Sequence, residues 1–100
     1  MLLLIAANVN AQKIYKITET GVTSQKKPNW NKKEKTLMTI SISDNLFTLA
    51  SKRESFSYQI VNKLDEKSFT ISDGLNEYII TIGEGFIKQE FEEGLLTYVF

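Results

Sequence analysis

From residue 13 onward, apolar and polar side chains alternate with period two in short runs bounded by turn residues, the pattern of half-buried strands rather than of amphipathic helices. Residues 36–43 show it plainly: Met38, Ile40 and Ile42 fall on one face, Thr39, Ser41 and Ser43 on the other. Residues 14–23, rich in Ile, Tyr, Thr and Val, predict a first strand of weak register. Phe56, Tyr58 and Ile60 alternate with Ser57 and Gln59, and Phe69 and Ile71 face inward within residues 68–72. Tyr78, Ile80 and Ile82 share a face of residues 77–82, where the extra Ile79 predicts a strand covered on both sides. Residues 86–91 and 95–100 read as a hairpin about Glu92, Glu93 and Gly94, with a short helix over 86–93, ended by Gly94, as the rival reading.

Turn chemistry separates these runs. Asp44 and Asn45 suit a tight turn because both tolerate left-handed backbone, and Asp73 with Gly74 is a stronger signal of the same kind. Gly83 and Gly85 mark another turn. The sum is an all-β chain: an antiparallel meander of seven or eight short strands, closed into a small barrel or folded as a two-sheet sandwich. Phe47, Phe56, Tyr58, Phe69, Tyr78, Phe86 and Tyr98 fall at inward positions and predict the core.

Composition narrows the chemistry. In 100 residues there is room for one domain, and the 31 that are Phe, Ile, Leu or Val can build its core. With no Cys and no His, the chain lacks disulfides, a thiol nucleophile, an imidazole base and the usual zinc ligands. We therefore expect no metal, no cofactor and no enzymatic activity. Residues 1–7 are an unbroken apolar run, and Val9 and Ala11 stand as the small residues of a cleavage site before Gln12. This predicts a signal peptide over residues 1–11, a single domain over 12–100, and export to a periplasm or the cell exterior. The run is too short for a transmembrane segment, which takes about 20 residues.

The binding candidate is the stretch of residues 24–35, read as a long loop. It carries Lys26, Lys27, Lys32, Lys33 and Lys35 around Trp30, the only tryptophan, against Glu34 alone. Lysines beside an aromatic ring suit an anionic partner with a flat or apolar part, such as single-stranded nucleic acid, an anionic glycan or a lipid headgroup, and a protein partner is also open. Residues 1–53 carry nine basic and three acidic groups, and residues 54–100 three and nine. The zero net charge argues against a nucleic-acid partner, whose binding domain is normally strongly basic. The leading expectation is thus a small exported binding module. Two alternatives stand beside it: a carrier of an apolar or lipid-like ligand in a barrel cavity, and a small carbohydrate-active enzyme using Glu90, Glu92 and Glu93.

Overall fold

The computed structural model describes residues 13–24 and 32–100. The expected signal peptide and Lys26, Lys27 and Trp30 lie outside the described residues. Eight strands follow one another: β1 (Lys13–Thr23), β2 (Lys32–Ile42), β3 (Leu46–Ala50), β4 (Ser55–Lys63), β5 (Ser68–Ser72), β6 (Glu77–Ile82), β7 (Phe86–Phe91) and β8 (Gly94–Val99). Each pairs antiparallel with the next, and β8 returns to β1, with Thr20 opposite Tyr98 and Val22 opposite Leu96. The meander is therefore a closed barrel rather than a sandwich, and residues 86–91 are a strand rather than a helix.

Alternation fills the barrel. Ile17, Ile40, Phe47, Ile71, Ile80 and Ile87 are all less than 2% exposed, and Phe69 and Tyr98 join them. They meet across strands: Ile40 lies opposite Tyr15 and Leu49, Ile71 opposite Ile60 and Tyr78, and Ile87 opposite Tyr98. The Phe47 ring packs against Phe69 and Tyr58 with centroids 6.1 and 6.3 Å away. Each such aliphatic or aromatic side chain contributes about 1.5–3 kcal/mol by leaving water. Outward positions carry mainly hydroxyls and charges, with Ile14, Leu37, Leu46 and Ile79 as exposed apolar exceptions. Ser41, Thr48 and Ser57 form one cross-strand row, with Thr48 Oγ1 and Ser57 Oγ 3.0 Å apart, and the Ser68 hydroxyl donates to Thr81 Oγ1 at 3.3 Å. A barrel facing lipid has the reverse pattern, apolar outside and polar within. No helix among the described residues is long and apolar enough to cross a membrane.

Four local expectations need correction. Ile79 is 40% exposed, so β6 is covered on its inner face only. Phe86 points outward, because its neighbour Ile87 holds the inner face, and its ring instead lies across Gly83, where a Cβ would fall 2.2 Å from the Phe86 ring. Phe56 shares the inner face with its partner Leu49 but stands at the barrel rim, 55% exposed. The Ser43 to Leu46 turn forms without left-handed backbone at Asp44 or Asn45, since no described residue other than glycine has a positive φ. The Ser43 N–H donates to the Leu46 carbonyl at 2.9 Å, and the Leu46 N–H returns to Ser43 Oγ at 3.3 Å.

The closing seam is tightest where β8 begins. A Cβ on Gly94 would stand 2.3 Å from the Thr23 carbonyl oxygen, and the Ser24 hydroxyl donates to the Glu93 carbonyl at 2.6 Å. We expect Gly94→Ala to destabilise the fold by about 1–3 kcal/mol through this overpacking. Gly21→Ala, whose Cβ would find its nearest atom at an ordinary 3.7 Å, should stay within about 0.5 kcal/mol of wild type. Urea-unfolding midpoints of the two variants check the contrast.

Candidate interaction surface

β1 and β2 are each 11 residues long, whereas β3 has five. Their hairpin runs from Lys13 opposite Ile42 to Val22 opposite Lys32. β3 covers only residues 39–42 of β2, with Thr39 opposite Ala50 as the outermost pair. Residues 32–38 of β2 therefore form an arm that, among the described residues, pairs with β1 on one side and with no strand on the other.

This arm holds three of the predicted lysines, and their setting differs from expectation. The loop anticipated over residues 24–35 ends earlier, because Lys32, Lys33 and Lys35 belong to β2 and are exposed along it. Charge led to the loop reading, since lysine is a poor strand former. Pairing with β1 overrides that preference: Glu19 lies opposite Lys35, and Gly21 opposite Lys33. Lys33, Lys35 and Leu37 share the outward face, while Lys32 and Glu34 share the other with Met38.

Sequence reasoning missed the neighbours. Beyond Ala50 the chain turns through residues 51–54, with the Ser51 N–H donating to the Glu54 carbonyl at 2.8 Å. That turn sets Ser51, Lys52, Arg53 and Glu54 beside Leu37 around a cleft of about 470 Å³, two cations against one carboxylate. A second cleft of about 450 Å³ adjoins it, lined among others by Lys16, Leu37, Met38 and Lys52. The surface therefore joins Lys33 and Lys35 to Lys16, Lys52 and Arg53, around Leu37, which is 76% exposed. Only the signs of Lys52 and Arg53 were legible locally; their place beside the arm depends on the register between β2 and β3. The alternative carboxylates are not gathered: Glu90 faces outward from β7 opposite Ile79 and Leu95, and Glu92 and Glu93 occupy the turn before β8.

Fold and surface define a closed, eight-stranded, up-and-down barrel with an apolar interior and one basic strand overhanging its rim. Compared with protein-family models, with curated proteins and with solved structures, the chain matches none.

Polar groups with shifted titration lie apart from the arm. Asp73 Oδ1 accepts the N–H groups of Asn76 at 2.7 Å and Leu75 at 2.8 Å, which hold its carboxyl below the usual range. Inside the barrel the Tyr98 hydroxyl donates to Gln89 Oε1 at 2.8 Å, both residues being buried. Burial, and secondarily the neighbouring Tyr58, pushes the Tyr98 phenol well above its ordinary value of 10. A folded-state pKa above the unfolded one gives a contribution that is whole below about pH 10 and is lost as the pH climbs beyond it. Tyr98→Phe strands the Gln89 carbonyl, so we expect a loss of about 1–3 kcal/mol at pH 7. The variant should also show a flatter alkaline decline in stability than wild type. Urea titrations from neutral to strongly alkaline pH test both effects, and an unchanged decline would exclude Tyr98 as its source.

Proposed function

We propose that this chain is a small, exported, non-enzymatic interaction module that binds an acidic protein partner through the β2 arm. The observation that carries the reading is the arm itself: a strand overhanging the barrel, with Lys33 and Lys35 on its outward face and Lys52 and Arg53 on the adjoining turn. Five cations gathered around one exposed leucine raise the local concentration of anions and speed their approach, more so at low salt. Packing favours the surface over the lumen as the place of binding, because the inner positions of the described strands are taken by Ile, Phe and Tyr side chains in mutual contact. The apolar run over residues 1–7 supports export.

Selection of a displayed library of random twelve-residue peptides against the full chain tests the proposal. Enriched peptides should be acidic, should bind at least tenfold more weakly when Lys33, Lys35 and Lys52 are all replaced by Glu, and should weaken as salt rises. Neutral or basic winners, or indifference to the charge reversal, would overturn the assignment. Recovery of an apolar compound from the purified protein would move the function into the lumen instead.

A further inference from the structure

We infer that the acidic segment binds as an added strand along residues 32–38 of β2, continuing the sheet past the end of β3. The inference rests on the basic-arm reading above and specifies its geometry. In an antiparallel ladder, alternate residues turn both backbone groups to the same neighbour. Ser43 does so toward β3, donating to the Leu46 carbonyl at 2.9 Å, and the same parity carries through Ser41 opposite Thr48 and Thr39 opposite Ala50. The next residues of that parity are Leu37, Lys35 and Lys33. Their N–H and C=O groups point to the side where β3 has ended and the chain has turned away through Ser51 and Glu54. An exposed row of this kind is a template for an incoming extended segment.

Charge decides which segment. A second copy pairing antiparallel about Lys35 would set Lys35 directly against Lys35, and like charges directly opposite each other destabilise a ladder. An acidic strand meets the opposite situation. On its outward face it would place carboxylates opposite Lys33 and Lys35, and an apolar side chain opposite Leu37. Where it passes Met38 it reaches the cleft lined by Lys16, Ala50 and Lys52, which takes a further apolar or acidic side chain. The ligand class is therefore an extended acidic peptide with apolar residues at one end.

The probes are the acidic peptides enriched in the library selection. A single backbone N-methyl group, moved along such a peptide, should weaken binding at least tenfold at alternate residues and little at those between, since only one edge of an added strand is paired. Bound peptide should slow hydrogen exchange of the Lys33, Lys35 and Leu37 amides at least tenfold. Lys35→Pro removes a donor that faces away from β1, a setting in which strand proline is tolerated. It should bind at least tenfold more weakly than Lys35→Ala, which matches its loss of charge. Equal effects of N-methylation at all positions, with binding still abolished by charge reversal, would overturn strand addition and leave the basic arm standing. Binding indifferent to both manipulations, or a failure to enrich any peptide, would overturn the two together.

Discussion

A one-residue register shift between β1 and β2 makes the closed sheet compatible with this sequence. Tyr15 and Ile17 point inward, and uninterrupted alternation would send Glu19 after them, into a core that cannot hold an unpaired carboxylate without a cost of several kcal/mol. The register between β1 and β2 shifts between Ile17 and Glu19. Beyond that bulge the parity is reversed: Thr20 faces Tyr98 and Val22 faces Leu96 on the inner side, while Glu19 stands outside opposite Lys35. A bulge also sharpens local twist, which helps bend β1 from its partner β2 toward β8. Sheet closure and exclusion of charge from the core are thus met at the same point of the chain.

Closure does not pair every backbone group. Strands in a barrel are staggered, and a closed sheet lacks edges only where neighbouring strands match in length. β1 and β2 match each other at 11 residues, but β3 is a five-residue strand ended by its turn at Ser51. The surplus of β2 must overhang. The lysines there have two consequences with one cause: they discourage edge-to-edge association of identical chains, and they favour a segment of opposite sign.

Much of this was legible along the chain. Asp73 with Gly74, the Gly83–Gly85 pair and Glu92 with Glu93 are turns as read, although Gly94, read into the last of them, already opens β8, and Met38, Ile40 and Ile42 share the inner face as their spacing requires. What was hidden is non-local. Phe86 carries the hydrophobicity of a core residue, and only the burial of its neighbour Ile87 shows that it lies outside, over Gly83. Ile79 could not be told from a buried isoleucine by composition. The first weak register had a physical source, since a bulge breaks the period on which such readings depend. For the candidate site, the lysines were visible in sequence. The free edge was not, because an edge is defined by a partner strand that stops, and no residue on β2 encodes the length of β3.

Magnitudes constrain what the arm can do. Lys33, Lys35 and Leu37 offer three N–H and three C=O groups, and each hydrogen bond they gain contributes about 0.5–1.5 kcal/mol net of water. Their sum, about 3–9 kcal/mol, is comparable to the loss of translational, rotational and side-chain freedom on association, about 4–15 kcal/mol. Backbone pairing alone therefore yields weak binding to any extended chain, which suits an edge that must not capture unfolded segments indiscriminately. Discrimination has to come from the side chains: the Lys and Arg cluster accelerates and retains acidic sequences, and the exposed Leu37 adds apolar burial only to a segment in the correct register. On this division of labour the edge supplies orientation and the cations supply selectivity, so high salt should impair the choice of partner before it impairs the fold, whose core is apolar.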